Sequence, residues 1–370
     1  MPWVGRRLPS PPFAEGDPNR IQLNGGLREP ALPETTPPIA RIRINDARSR
    51  GNDVIVWSMK PRTPGIWLIA VLLGLLALPP AYAGMTPEEV RQFKTYKARA
   101  EQGNANAQGW VGYYYNNGFG VARDQVQAVY WFSKAAAQGD SYSQYILGLR
   151  YARGDGVAKD IVQAVALWRK AADQGYRSAQ FRLGTYYSDG VDATPDQIQA
   201  VAWYRKAADQ GLVEAQYILG NSYAKGEGVA KDQLQSLRWY RIAASQGHAM
   251  AQFNLGNCYY TGTPALPQDF VQAAKWWRKV AEQGNPEAQF KLGNCYAKGT
   301  GVSKDEIEAY AYWSIAGIIF DDAHASLAAL EKQMSAGKIA AGQKRTKELQ
   351  KEISAKMAAK RAEYAKQAGK

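Results

Sequence analysis

The sequence has little of what most often does chemistry: of 370 residues, two are histidine and two are cysteine. His248 and His324 stand far apart and without companions at metal-ligand spacing, so no zinc-ligand set is visible. Neither a G-x-x-x-x-G-K-[ST] phosphate loop nor a G-x-S-x-G nucleophile elbow occurs. We therefore expect no enzyme activity, no cofactor and no metal. A basic stripe on the body of the chain is missing as well. The formal net charge is +13, but residues 331 to 370 alone hold eleven basic and four acidic side chains, and the middle of the chain is close to neutral. Phosphate contacts supply most of the affinity for nucleic acid and need basic residues on the folded face, so nucleic-acid binding is not expected.

A long apolar run is also lacking. The most hydrophobic stretch, Ile66 to Leu78, is thirteen residues, against roughly 20 for a membrane-spanning helix. It follows Lys60 and Arg62 and precedes Ala81-Tyr82-Ala83, the charge, apolar core and small-residue order of a secretory signal peptide. Residues 59–83 are accordingly read as a signal cleaved after Ala83, with periplasmic or secreted localisation, and an uncleaved inner-membrane anchor as the alternative. Residues 1–58 are rich in Pro and Arg and show no sustained periodicity, the composition of a disordered segment. Since a signal peptide normally opens a chain, Met59 is the expected translational start and the first 58 residues an extension upstream of it.

What is present in abundance is repetition. Gly103, Gly139, Gly175, Gly211 and Gly247 fall 36 residues apart, with Gly284 after 37, and Gly112, Gly148, Gly184, Gly220, Gly256 and Gly293 keep step. Six units run from about Asn104 to Phe320. The extra residue falls in the fifth unit's turn, where Pro264 and Pro267 mark a loop able to absorb it.

Each unit reads as two helices. In the first, Ala179, Leu183 and Tyr187, or Ala215, Leu219 and Tyr223, fall on one face at spacing four. The glycine beside that stripe costs helix stability, and its use is to let a neighbouring helix come close. After a glycine-containing turn, Asp124, Asp160, Asp196, Asp232, Asp269 and Asp305 are each followed three residues later by Gln or Glu. That is the spacing of a capping box, in which the carboxylate accepts from helix-start amides and the Gln or Glu bonds back. These aspartates are read as structural. The second helix then carries an aromatic pair and closes on Gln-Gly, with Lys206 and its counterparts near the negative end. Trp131, Trp168, Trp203, Trp239, Trp276, Trp277 and Trp313 recur along these helices and are expected to fill the core.

The unit A-x-A-Q-x-x-L-G-x-x-Y, then G-x-G-V-x-x-D, then A-x-x-W-Y-x-K-A-A-x-Q-G closely resembles the Sel-one-like repeat, a relative of the tetratricopeptide repeat, over residues 104 to 320. Asp189-Gly190-Val191 lacks the first glycine of the turn, and the fifth unit replaces the turn outright. The resemblance implies an all-α fold, a right-handed superhelical solenoid of antiparallel helix pairs used mainly as an adaptor or scaffold for protein complexes. Some cysteine-rich members of the wider family carry a disulfide in each unit and are discussed as penicillin-binding hydrolases, which leaves a periplasmic hydrolase acting on cell-wall or β-lactam-like substrates as an alternative. Here only Cys258 and Cys295 occur, at the same place in adjacent units. Stacked helices lie about 8 to 10 Å apart, too far for a disulfide, so two packed thiols are expected and a disulfide is the alternative.

A solenoid needs closed ends. Residues 84–103 read as an N-terminal capping helix opened by Thr86-Pro87-Glu88-Glu89, itself a capping box. Residues 321–370 read as a C-terminal helical cap and basic tail, with Leu349, Ile353 and Met357 on one side and lysines around the rest. Contact with a membrane is expected only through an uncleaved signal or this tail, which leaves a membrane-associated regulator as the third reading.

If the solenoid holds another protein, the site lies where the unit is free to vary. Two first-helix positions four apart change from unit to unit: Trp110 and Tyr114, Ile146 and Arg150, Arg182 and Tyr186, Ile218 and Ser222, Asn254 and Cys258, Lys291 and Cys295. Trp110, Tyr114, Arg150, Arg182 and Tyr186 are of the types that dominate binding hot spots and are taken as the partner-binding candidates. The alternative is that these positions vary because they are exposed or fill local packing gaps.

Overall fold

A computed structural model describes residues 85–190, 194–263 and 266–368. Residues 1–58, the signal sequence 59–83 and its cleavage point after Ala83 lie outside the described residues, as do parts of the third and fifth inter-helix turns. Among the described residues fifteen α-helices follow one another: α1 (Pro87–Glu101), α2 (Ala105–Asn117), α3 (Gln125–Ala137), α4 (Ser141–Arg153), α5 (Ile161–Asp173), α6 (Arg177–Asp189), α7 (Gln197–Asp209), α8 (Val213–Lys225), α9 (Gln233–Ser245), α10 (Ala249–Thr261), α11 (Phe270–Ala281), α12 (Pro286–Lys298), α13 (Glu306–Ala316), α14 (Asp321–Glu331) and α15 (Ala336–Ala368). The units are α2/α3 through α12/α13. Each first helix packs on its own second helix, and each second helix on the next unit's first helix. This is the all-helical solenoid of helix pairs that the repeat pattern predicts.

The second helices begin as the sequence dictates, with one difference. All six aspartates accept a hydrogen bond from the amide three residues on, at 2.9 to 3.0 Å. The reciprocal arm of the box is not formed. The aspartate's own N–H instead donates to the carbonyl of Tyr115, Tyr151, Tyr187, Tyr223, Tyr259 or Tyr296, each at 2.9 Å. These carbonyls lie in the last turn of the first helix or just before it, where intrahelical donors run out, so one bond satisfies the end of one helix and the start of the next. Among the described residues the full reciprocal box is made by Thr86, opening α1, with Glu89.

Within a unit the helices interlock through glycine and an aromatic ring. Phe132, Trp168, Tyr204, Tyr240, Trp277 and Trp313 lie against Gly112, Gly148, Gly184, Gly220, Gly256 and Gly293, and a Cβ on any of these glycines would come within 2.5 to 2.8 Å of the ring. The close approach expected at this glycine is therefore that of the unit's own second helix, made by a ring. The tryptophans also occupy two registers. Trp168, Trp277 and Trp313 stand on glycine, whereas Trp131, Trp203, Trp239 and Trp276 sit one position earlier. Trp203 and Trp276 are only half-buried, and the Lys206 and Lys279 ammonium groups lie 3.9 and 4.2 Å from their ring centres. These two pack at the margin of the core, with one face against it and the other covered by the lysine.

Between units runs a ladder of glutamines. Gln108, Gln144, Gln180, Gln216, Gln252 and Gln289 are all buried, and each donates Nε2 to a carbonyl at the end of the preceding second helix, from Ala100 to Ala281, at 3.0 to 3.2 Å. In the first five units the amide oxygen accepts from the glutamine that ends the unit's own second helix, at 2.7 to 3.0 Å. Each amide is thus a two-ended tie between neighbouring units, and a buried amide needs its partners.

The ends differ from one another. Helix α1 stands where a second helix of a preceding unit belongs, and Phe93 and Ala100 are buried against Ala107 and Val111. At the other end α14 packs on α13 through Ala323 and Leu327. Helix α15 then lies over α13 and reaches the end of α11, burying Leu349 and Ile353 and half-burying Met357. Ion pairs hold it: Lys338 to Glu306 at 2.7 Å, Arg345 to Glu308 at 2.6 Å and Lys356 to Glu282 at 2.9 Å. Lys360 donates to the Gln283 amide at 3.0 Å and so closes the glutamine ladder.

Candidate binding face

The first helices of neighbouring units touch side chain to side chain. The Asn254 amide donates to Asn221 at 3.3 Å, Arg150 reaches back to Asn116, and α8 contacts α10 directly. The first helices thus form one continuous layer, and its half-exposed side chains form the candidate face.

Along it the first variable position, Trp110, Ile146, Arg182, Ile218, Asn254 and Lys291, is half-buried in every unit. Trp110 packs among Tyr96 and Tyr113, each with ring centres 5.6 Å away. The Arg182 guanidinium lies 5.0 Å over the Trp168 ring. Tyr186 is half-buried and meets Tyr187 edge-on.

The second position is deeper in some units. Tyr114 is only 6 % exposed and its hydroxyl donates to Gln92 of α1 at 3.3 Å, with burial pushing its pKa above the ordinary phenol value. The Arg150 guanidinium is held by the Gln125 and Asn116 side-chain oxygens and stands 3.9 Å from Asp155, and burial pulls its pKa down. Ser222 and Cys295 are buried too. The structure therefore places Tyr114 and Arg150 in the contacts between units, while Trp110 and Arg182, which also touch the preceding unit, and Tyr186 stay half-exposed at the face. Variation at the second position follows the changing neighbour: α2 rests on α1, and every later first helix on a different predecessor.

Sequence reasoning missed the far end of this face. Lys291, Asn294 and Lys298 lie on successive turns of α12 and, with Tyr260 and Trp277, line an open cleft of about 100 Å³. The Lys291 ammonium is 5.5 Å from the Trp277 ring centre and 5.6 Å from that of Phe253. The i, i+3, i+7 spacing was a legible signal for such a cluster. At the floor of the cleft Cys295 is a free thiol whose pKa burial pushes up to about 11. Cys258 is also free, and burial raises its pKa as well. Neither thiol is primed as a nucleophile, since the thiolate is the reactive form.

His248 is a helix cap. Its Nδ1 accepts from the Ala251 amide at 3.2 Å, its ring stacks on Tyr217 at 4.5 Å, and burial lowers its pKa. Among the described residues no group of three or more His, Cys, Asp or Glu side chains is placed to hold a metal ion, and no helix is long and apolar enough to cross a membrane.

The family model of the Sel1 repeat matches residues 105–140, 141–176, 177–212, 213–248, 249–285 and 286–317, all six units. Among solved structures, the chain is similar to a protective antigen of uropathogenic Escherichia coli displaying an SLR fold, at 31% identity over 74% of this chain and 67% of the other, with a TM-score of 0.50. It is similar as well to a Sel1 repeat protein from Oxalobacter formigenes, at 31% identity over 62% of this chain and 97% of the other, with a TM-score of 0.51. No curated protein matches the sequence.

Proposed function

This chain belongs to the Sel1 repeat family, and from that premise we propose that it is a non-catalytic scaffold whose first-helix face holds a segment of another protein. The observation that carries the reading is the contrast between a uniform frame and a graded face. Caps, glycine–ring contacts and glutamine ties repeat in unit after unit, while the first variable position runs from Trp110 and Ile146 through Arg182 and Ile218 to Asn254 and Lys291. Aromatic and aliphatic groups at one end, with amides and two lysines around a cleft at the other, suit a partner segment that is apolar at one end and acidic at the other.

The test is capture of partners from the native cell envelope by three forms of the chain. Ile146→Ser with Arg182→Glu, and separately Lys291→Glu with Lys298→Glu, are expected to lose the partner. Lys275→Glu, on the exposed flank of α11, is expected to retain it. Equal recovery by all three forms would refute this face. Export is part of the same proposal and rests on the sequence of residues 59–83. N-terminal sequencing of the mature chain is expected to begin at Gly84, and a chain still carrying residues 66–78 would contradict cleavage.

A further inference from the structure

The contact between units contains a socket that one unit fills from within and another leaves open. In the second unit the Arg150 side chain, 11% exposed, occupies it: the guanidinium reaches Asn116 and Gln125 of the first unit and stands 3.9 Å from Asp155 of its own turn. The repeat carries these four places forward to the last pair of units, where all four are changed. Cys295 stands at the place of Arg150, and Tyr260, Phe270 and Thr300 at those of Asn116, Gln125 and Asp155. A short side chain replaces a long one, and two rings and a hydroxyl replace the acceptors of the guanidinium. The result is the cleft of about 100 Å³ beside α12. Its floor is Cys295 and Trp277, both buried, with the Tyr260 ring centre 5.2 Å from that of Trp277. Lys291, Asn294, Lys298 and Thr300 are less deeply set and surround the mouth, and among the described residues no carboxylate lines the cleft.

An apolar floor under a positive mouth suits a group whose apolar end enters first and whose anion stays outside. An aspartate or glutamate side chain carries its charge at the tip and would bury it on the floor, at the cost of desolvation. The last residue of a chain has the required order, side chain inward and carboxylate at the mouth. Resting on the scaffold reading above, we propose that this socket takes the C-terminal residue of the partner protein. A leucine-sized side chain lies on Cys295 and Trp277, the terminal carboxylate meets Lys291 and Lys298, and the Asn294 amide serves the last peptide group. The acidic end of the held segment is then its chain terminus.

The test uses the full chain and a synthetic peptide, acetyl-Ser-Gly-Ser-Gly-Leu, with a free carboxylate or as its amide, read by saturation-transfer NMR on the leucine methyl signals. The free acid is expected to bind with a dissociation constant of about 1 mM, the scale of a contact made by one residue, and the amide at least about tenfold more weakly. Cys295→Tyr fills the socket with the ring that Tyr114 and Tyr186 supply at the same place in the first and third units. It is expected to abolish binding with an unchanged circular dichroism spectrum. Lys291→Gln with Lys298→Gln, at the mouth, is expected to weaken the free acid at least about fivefold and to leave the amide unaffected. Equal binding of acid and amide, no saturable binding of the acid up to about 20 mM, or undiminished binding by Cys295→Tyr overturns the proposal. A peptide amide ending in glutamate that binds as tightly as the free acid assigns the lysines to an acidic side chain and overturns it too. Equally tight binding of 4-methylpentanoate, which has the apolar end and carboxylate without a peptide group, assigns the socket to a small carboxylic acid and overturns it equally. Partner capture separates this inference from the scaffold reading. A Cys295→Tyr chain that recovers the partner lost by Ile146→Ser with Arg182→Glu overturns the socket alone, whereas recovery by both forms overturns both.

Discussion

Replacing Gly184 by alanine sets two opposed effects against each other. Alanine is favoured over glycine within a helix by about 1 kcal/mol, so an unobstructed glycine in α6 would gain that much. Gly184 is obstructed. An added Cβ would lie 2.6 Å from both Cδ1 and Cε1 of Tyr204, a ring that is 5% exposed and has the Phe181 ring centre 5.5 Å away. The ring has to move by about 1 Å to restore ordinary contact, and overpacking of this kind costs about 1 to 3 kcal/mol. With the ring in place the net effect is a loss of about 0 to 2 kcal/mol. With the ring removed the sign reverses: in a Tyr204→Ala background, itself costing about 3 to 5 kcal/mol, Gly184→Ala is expected to stabilise by up to about 1 kcal/mol. The assay is urea unfolding of the four forms followed by tryptophan fluorescence, with amide hydrogen exchange on α6 and α7 to locate the change, since repeat arrays need not unfold in one step. Stabilisation by Gly184→Ala in the wild-type background, or the same sign in both, refutes the interlock.

The other predictions concern ties, caps and charge. Gln180→Leu removes the donor to the Ala172 carbonyl and the acceptor of Gln210. It is expected to cost about 1 to 3 kcal/mol in urea unfolding, and adding Gln210→Leu should cost less than the sum of the two single changes. Asp196→Ala removes the acceptor of the Gln199 amide and is expected to cost about 1 kcal/mol, with faster exchange confined to the start of α7. His248 gives the fold a pH dependence. Burial lowers its folded-state pKa below the ordinary imidazole value, so the unfolded chain binds the proton more readily. Its contribution is fully present above the ordinary value and is lost as pH falls through that value toward the folded one. His248→Asn, the residue type that caps α2 and α12 as Asn104 and Asn285, is expected to flatten unfolding midpoints between neutral and mildly acid pH. An unchanged slope would show that another group sets it.

What could be read from the sequence was whatever repeats locally. The 36-residue period, the glycines, the aspartate caps and the Leu349–Ile353–Met357 stripe on α15 each depend on residues a few positions apart. What could not be read depends on neighbours brought together by the fold. The second arm of the capping box fails because the Asp196 amide finds the Tyr187 carbonyl, nine residues back. Gln180 recurs visibly in the A-x-A-Q motif, but its partners are a carbonyl eight residues earlier and an amide thirty later. Tyr114 and Arg150 vary between units and so looked like surface. Their variation instead matches the helix each one packs on, α1 for Tyr114 and α2 with the start of α3 for Arg150. The second residue of the second helices, Val126, Val162, Ile198, Leu234 and Val271, is as periodic as any core stripe, and only its exposure separates it from one.

Photo-cross-linking from the two sides of the solenoid in living cells tests the proposed scaffold most directly. A photoreactive residue placed at Ile146, Ile218 or Asn254 on the first-helix face is expected to give discrete adducts with the same partner protein. The same residue at the exposed Lys170 or Lys275, on second helices, is expected to give none. Adducts to that partner from Lys170 and Lys275, with the first-helix face silent, would contradict the account.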